Sequence, residues 1–68
     1  MDTKKLGKKI RLARIEADLT QTQLAQKIKA NQKSISRYET GASLPSLETL
    51  VKISKALNIP AGYFLDEE

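Results

Sequence analysis

Residues 19–41, LTQTQLAQKIKANQKSISRYETG, decide how this chain folds. Thr20 and Gln23 have the spacing of a capping box, in which a hydroxyl and an amide satisfy free backbone N–H groups where a helix begins. Asn31 is a second N-cap residue, and Gly41 ends the second helix because glycine adopts the left-handed conformation without strain. The stretch predicts two short helices, 21–28 and 32–40, separated by a tight turn.

Each of these helices has one apolar side. Leu24, Ala25 and Ile28 recur at helical spacing in the first helix. Ile35 and Tyr38 do so in the second helix. The second helix is left with a row of polar side chains that point outward, namely Gln32, Lys33, Ser34, Ser36 and Arg37.

The flanking sequence predicts three further helices. Residues 3–17 form a helix capped by Asp2 or Thr3, with a mild propensity penalty at Gly7. Pro45 restricts its predecessor to extended conformations, and Ser46 caps a helix over 47–57. A short helix over 61–65 follows. The residues expected innermost in the 47–57 helix are Leu47, Leu50, Ile53 and Leu57. The predicted fold is a compact all-α bundle of five helices in one domain, 1–68.

The composition excludes several classes of function. The 68 residues contain no cysteine and no histidine, so disulfides, thiolate metal sites and the commonest general base are absent. No segment has the pattern of a phosphate-binding glycine loop, a signal peptide or a membrane span. We expect a soluble cytoplasmic protein that is not an enzyme, binds no metal or cofactor and does not contact a membrane.

The charge is unevenly distributed along the chain. Residues 1–38 hold ten Lys/Arg and three Asp/Glu, whereas residues 39–68 hold two and five. A solvated surface would explain a basic run alone. Because the basic half also contains the two short helices, the segregation favours a polyanionic partner on that side of the molecule.

The stretch resembles the helix-turn-helix of the Cro/C1-type (XRE-type) DNA-binding family, which includes the lambdoid phage repressors. The similarity extends from about residue 6 to residue 65, and the residues that carry it are Leu19, Thr20, Gln21, Leu24, Ala25, Ile28, Ser34, Ile35, Ser36, Glu39, Gly41, Pro45, Ser46, Leu47, Leu50, Ile53, Ala56 and Leu57. The resemblance implies a lambda repressor-like fold that binds double-stranded DNA in a sequence-specific manner. It also implies a transcriptional regulator, most often a repressor, that binds a palindromic operator as a two-fold dimer.

The resemblance assigns the DNA contacts residue by residue. Gln32, Lys33 and Arg37 match base-contacting positions, with Ser36 as a weaker candidate. The chemistry agrees, since Gln pairs with adenine N6/N7 and Lys or Arg with guanine O6/N7. The expected contacts to the phosphate backbone are Gln21, Asn31, Ser34, Ser43 and Leu44, and the cation of Lys29 is added to them as a separate hypothesis.

Two further family features involve charge. By resemblance, Arg14 and Glu39 pair beneath the helix-turn-helix; otherwise each side chain would have to reach water. Lys29 departs from the family pattern, which has glycine at this turn because φ is positive. A lysine there bears strain unless the turn differs, and it offers a cation to a phosphate.

Two surfaces are predicted to contact other chains. A weak dimer, completed on DNA, would use Leu44, Ala61, Tyr63 and Phe64. Leu12 and Ile15 lie off the inward face of the first helix, and are either singly exposed aliphatics or a docking surface. The competing interpretation is therefore a protein-interaction module, such as an antitoxin-like or anchor domain. The chain could equally be the DNA-binding part of a longer protein.

Overall fold

Five α-helices make up residues 2–65, the part of the chain that the computed structural model describes. They are α1 (Thr3–Glu16), α2 (Gln21–Lys27), α3 (Gln32–Thr40), α4 (Leu47–Leu57) and α5 (Gly62–Leu65). No strand occurs in this range, so the predicted all-α class is confirmed. Three helix ends differ from the prediction by one residue. At two of them the cap residue, Ala17 or Ile28, already has a ψ near zero and has left the helical conformation.

Polar side chains start the first four helices. Thr20 and Gln23 form the predicted capping box, with the Gln23 N–H donating to the Thr20 hydroxyl at 3.0 Å and the Thr20 N–H donating to the Gln23 amide oxygen at 2.8 Å. Asp2, Asn31 and Ser46 each accept a hydrogen bond from the first turn of their own helix. These caps fix where the chain enters each helix and hence the angle between neighbours.

The core lies between α1, α2, α3 and α4 and is closed by α5. Its most buried side chains are Ile10, Leu24, Ile35 and Ile53. The rest of the buried apolar cluster is Leu6, Ala13, Ala25, Ile28, Leu50, Leu57 and Phe64. Leu47 does not belong to it: its side chain is 62% exposed, so the prediction that it lies innermost is wrong. As the first residue of α4 it projects beyond the edge of the core.

Gly7 allows α1 to pack closely against α3. A Cβ atom at this position would lie 2.5 Å from the Glu39 carbonyl oxygen and 2.6 Å from that of Tyr38. Both atoms belong to backbone and cannot turn aside as a flexible side chain would. The glycine that sequence analysis treated as a mild helix penalty is therefore required by the contact between the two helices.

Four residues with positive φ end or separate helices. Gly41 (φ 82) ends α3 as predicted, and Asn58 (φ 58) caps the end of α4. Asp18 (φ 60) turns the chain from α1 into α2, and Lys29 (φ 57) turns it from α2 into α3. The α2–α3 turn thus has the left-handed geometry for which the family has glycine, and Lys29 adopts this strained conformation. Within residues 2–65, none of the helices is both long and apolar enough to span a bilayer.

Candidate nucleic-acid interface

The two sides of α3 have different environments. Ile35 is fully buried and Glu39 is 8% exposed, so this side faces α1 and α2. Gln32, Lys33 and Arg37 are exposed on the other side. Ser34 and Ser36 are half-buried at its margins. The helix is anchored along one face and presents an amide and two cations on the other.

An ion pair anchors the buried face. The Arg14 guanidinium donates from Nε to Glu39 Oε2 at 2.6 Å and from Nη2 to Glu39 Oε1 at 3.1 Å. Its Nη1 donates to the Leu19 carbonyl oxygen at 2.7 Å. The two side chains are only 12% and 3% exposed, so each charge depends on the other for compensation. The pair expected from the resemblance is present in the structure, and it joins α1, the start of the α2 segment and α3.

A chain of hydrogen bonds connects this ion pair to the exposed face. Gln21 donates from Nε2 to Glu39 Oε1 at 3.1 Å, and Gln32 donates from Nε2 to Gln21 Oε1 at 2.6 Å. An ionised carboxylate only accepts hydrogen bonds, so Gln21 must turn its NH₂ group toward Glu39. Its carbonyl oxygen then faces Gln32, which must in turn offer its own NH₂. The charge of Glu39 therefore sets the orientation of both amides.

The orientation of Gln32 matters for what it can recognise. One N–H of its amide is used by Gln21, while the second N–H and the carbonyl oxygen remain available. An adjacent donor and acceptor match the N7 acceptor and the N6 donor of adenine. The helical pattern correctly predicted that Gln32 lies on the outer face. The link from Gln21 to Glu39 depends on tertiary contacts and was not foreseen.

Arg37 and Ser43 are tied together at the other end of the exposed face. The Arg37 Nε donates to the Ser43 hydroxyl at 3.0 Å, and the Ser43 N–H donates to the Arg37 carbonyl oxygen at 3.2 Å. This contact uses only the Nε donor, so the Nη donors of the guanidinium remain available to a ligand. The loop after α3 thus holds Arg37 in place, and the structure brings one predicted base-contact residue beside one predicted phosphate-contact residue.

The other predicted phosphate contacts surround α3. Asn31 uses its side-chain oxygen to cap the helix by accepting from the Ser34 N–H at 2.8 Å, which leaves its NH₂ group as a donor. Lys29 is exposed at the turn, and the side chain of Leu44 is 54% exposed in the loop after α3. Leu44 has only a backbone N–H to offer a phosphate.

The predicted dimer surface needs one correction. Leu44 and Tyr63 are exposed, at 54% and 40%, and Ala61 is half-buried. Phe64 is only 2% exposed and belongs to the core, so its assignment to an exposed dimer surface is wrong. Adjacent residues in a helix point about 100° apart, and α5 turns Phe64 inward and Tyr63 outward. Leu47 and Leu65 are exposed as well, at 62% and 41%, although neither was predicted to belong to the dimer surface.

Lys9 holds α5 against α1. Its ammonium nitrogen lies 5.6 Å from the centre of the Tyr63 ring and donates to the Tyr63 carbonyl oxygen at 3.2 Å. Tyr63 also packs edge-on against Phe64, with ring centres 5.3 Å apart. One of the basic residues of α1 is therefore engaged in the fold.

This arrangement of helices matches a known family. The model of the Helix-turn-helix family aligns with residues 10–64, which include α2, α3 and α4 in full. The chain belongs to the Cro/C1-type helix-turn-helix family. The resemblance identified from Leu19 to Gly41 is thus confirmed.

Two of three similar curated proteins are named as a transcriptional regulator or repressor, and the third as a bridging factor. The chain is 33% identical over 63 residues to the HTH-type transcriptional regulator ImmR of Bacillus subtilis, covering 93% of this chain and 50% of ImmR. It is 38% identical over 59 residues to the cryptic phage CTXphi transcriptional repressor RstR of Vibrio cholerae, covering 87% and 53%. It is also 39% identical over 54 residues to multiprotein-bridging factor 1 of Candida albicans, covering 79% and 36%. The chain spans about half or less of these relatives.

Solved structures of regulators have the same fold. The restriction-modification controller protein C.AhdI from Aeromonas hydrophila superposes with a TM-score of 0.90 at 27% identity, over 93% of this chain and 91% of that chain. The clp gene regulator ClgR from C. glutamicum superposes with a TM-score of 0.88 at 25% identity, over 96% and 84%. The five-helix architecture is therefore that of this family's DNA-binding regulators.

Proposed function

We propose that this helix-turn-helix domain binds double-stranded DNA in a sequence-specific manner by placing α3 in the major groove. The observation that carries the proposal is the oriented amide of Gln32 beside the exposed cations of Lys33 and Arg37, all on a helix whose opposite face is buried. A major groove about 12 Å wide accepts an α-helix, and its base edges present the acceptors and donors that these side chains match. The transcriptional regulators among the relatives support this function.

The roles of the exposed side chains follow from their donors. Gln32 bonds to adenine N6/N7, and Lys33 and Arg37 donate to guanine O6/N7. Ser36, one turn after Gln32, makes a minor base contact. Because Gln32 is braced by Gln21, little rotamer freedom is lost when the base is bound, and this sharpens discrimination between bases.

The phosphate contacts set affinity and register. Lys29 supplies a cation at the turn, Gln21 and Asn31 supply amide groups, and Ser34, Ser43 and the backbone of Leu44 complete the set. Each cation that binds a phosphate releases counterions, so the affinity falls steeply as the salt concentration rises. These contacts position the helix, while the base contacts provide specificity.

Two copies of the domain are needed for a long site. The described residues extend over 28 × 23 × 21 Å, whereas successive half-sites on one side of DNA lie about 34 Å apart. One copy therefore covers one half-site. We propose a weak two-fold dimer, completed on a palindromic operator, that uses the exposed side chains of Leu44, Leu47, Tyr63 and Leu65 together with Ala61.

Repression is the form of regulation that we propose. RstR is named a transcriptional repressor, and a domain bound across an operator blocks access to a promoter without further machinery. We further propose a cytoplasmic location and no enzymatic activity, metal or cofactor for this domain. The operator sequence is to be determined by selection of bound DNA.

Selection from a pool of random duplexes tests the proposal. The expected result is an enriched inverted repeat whose half-site centres are about 10 base pairs apart, one turn of DNA. Enrichment of single half-sites would contradict the dimer while preserving DNA recognition. A selected pool indistinguishable from the input would contradict sequence-specific binding itself.

A protein-interaction module is the second candidate. The similarity to multiprotein-bridging factor 1 favours it, as do Leu12 and Ile15, whose side chains are 57% and 48% exposed on α1. Replacing both by Gln discriminates between the functions. If the double variant selects the same DNA as the wild type, sequence-specific DNA binding is supported. If the wild type selects no DNA, and the double variant loses a protein that co-purifies with the wild type, the protein-interaction module is supported.

A further inference from the structure

A basic groove lies apart from the exposed face of α3. It has a volume of about 510 Å³ and is lined by the end of α2, the α2–α3 turn and the later part of α4. Its six lining residues are Lys27, Ile28, Lys29, Lys52, Lys55 and Ala56. Four of the six are lysines and none carries a negative charge.

The groove is basic although part of its lining comes from the acidic half of the chain. Residues 39–68 are net acidic, yet both of their cations, Lys52 and Lys55, line the groove opposite Lys27 and Lys29. No ion pair or hydrogen bond engages the ammonium groups of these four lysines within residues 2–65. Lys52 and Lys55, three residues apart on one helix face, repel each other, and an anionic ligand in the groove would relieve this repulsion.

The apolar residues at the base of the groove indicate which class of anionic ligand fits there. Ile28 is a core residue and Ala56 is half-buried, and the aliphatic stems of the lysines extend the apolar surface around them. A nucleic-acid backbone would leave this apolar base uncovered. A peptide with carboxylates on its rim and an aliphatic side chain at its centre matches both the charge and the base.

We propose that this groove binds an acidic peptide segment of a partner protein, with carboxylates paired to the lysines and one aliphatic residue over Ile28 and Ala56. The site lies beyond the proposed base-contacting face. Lys52 and Lys55 take no part in the proposed DNA contacts, whereas Lys29 serves both surfaces. Because Lys27, Lys52 and Lys55 lie outside the proposed DNA contacts, DNA on α3 and an acidic partner on α2 and α4 compete only for Lys29.

The test measures fluorescence anisotropy of a labelled 12-residue peptide of glutamates with two central leucines. We expect saturable binding that Lys52→Gln/Lys55→Gln weakens about tenfold, as befits two lost ion pairs. The matched control is Lys5→Gln/Lys8→Gln, which removes the same charge from exposed lysines at the same spacing on α1. The control substitutions should weaken peptide binding less than twofold. A peptide with both leucines replaced by glutamine should bind the wild type more weakly than the original peptide does.

Other outcomes would contradict the proposed peptide site and leave the proposed DNA binding unaffected. Equal losses in both double variants would indicate unspecific attraction to a basic protein. A random-sequence duplex or single-stranded oligonucleotide whose binding depends on Lys52 and Lys55 would make the groove a nucleic-acid site. Self-association that depends on the same lysines, seen by sedimentation, would make a second copy the occupant. Affinity for the selected operator should change less than twofold in Lys52→Gln/Lys55→Gln.

Discussion

The buried and exposed faces of α3 are built from opposite chemistry. The buried face holds Ile35 and the Glu39 carboxylate, which is bonded to Arg14 and Gln21. The exposed face holds polar groups whose only described partners are Gln21 for Gln32 and Ser43 for Arg37. Changes on the buried face should therefore act on folding, and changes on the exposed face on recognition. Gln21 is the bridge between the two.

The buried ion pair should give the largest effect. Glu39→Ala leaves the Arg14 guanidinium in a half-buried site without compensation, and removal of one partner from such a pair costs about 3–5 kcal/mol. The free energy of unfolding from urea titration should fall by that amount. Glu48→Ala, at an exposed position in the first turn of α4, is the control and should lower stability by no more than about 1 kcal/mol, the contribution of a carboxylate near a helix N-terminus.

A double variant sharpens this prediction. Arg14→Ala/Glu39→Ala removes both charges, so its loss of stability should be smaller than the sum of the two single losses. Additive losses would mean that the two side chains do not depend on each other.

The contact between α1 and α3 should give the next largest effect. Gly7→Ala gains about 1 kcal/mol of helix propensity, but its methyl group would meet the carbonyl oxygens of Tyr38 and Glu39. Overpacking of this kind costs about 1–3 kcal/mol, so after the gain in propensity we expect a net loss of up to about 2 kcal/mol. Gly62→Ala is the matched control, because an added Cβ has no neighbour within 4 Å there. A Gly7→Ala variant more stable than the wild type would contradict the close approach.

The turn between α2 and α3 affects both faces. Lys29→Gly relieves a left-handed lysine and should raise stability by about 1 kcal/mol. It also removes a proposed phosphate contact, so operator affinity should fall and the slope of log K against log[salt] should become shallower by about 1.

A second residue with the same backbone conformation separates these effects. Asp18→Gly relieves a smaller strain at φ 60, since aspartate tolerates this conformation better than lysine, and it removes no cation. It should raise stability and leave the salt slope unchanged. An unchanged slope in Lys29→Gly as well would exclude the phosphate contact.

The start of α1 should give the smallest effect, and it depends on pH. Hydrogen bonds from the backbone N–H groups of Lys5 and Lys4 lower the pKa of Asp2 below its ordinary value of 3.8. A lowered folded-state pKa means that the ionised cap stabilises the fold above pH 3.8 and that this contribution disappears as the pH falls through the folded-state value. The melting temperatures of the wild type and Asp2→Asn should therefore converge between pH 5 and pH 2. A difference independent of pH would contradict an ionised cap.

Local sequence signals were sufficient for most of the fold. Thr20, Asn31, Ser46 and Gly41 mark helix ends through bonds to residues at most three or four positions away, so their roles could be predicted. Leu47 could not be assigned correctly, because its spacing with Leu50 fits an inner face although Leu47, the first residue of α4, lies outside the core. Phe64 lies in a helix of four residues, too short for its pattern to fix which side faces inward.

Tertiary contacts decide the rest of the candidate site. The sequence identified Gln32, Lys33 and Arg37 through the outward row of α3 and through the family resemblance. It gave no sign that Glu39 orients Gln21, or that Gly7 carries the contact with α3, because these partners are 18 and 32 positions apart. The four lysines of the basic groove are likewise brought together only by folding.

The exposed face of α3 is tested by comparing two triple variants on the selected operator and on a scrambled duplex. Gln32→Ala/Lys33→Ala/Arg37→Ala removes the proposed base contacts, and Gln26→Ala/Lys27→Ala/Arg11→Ala removes the same residue types from exposed positions on α2 and α1. Circular dichroism should show both variants folded. In a mobility-shift titration, the first should lose roughly 100-fold or more of its preference for the operator, and the second should keep it. An undiminished preference in the first variant would contradict recognition by α3.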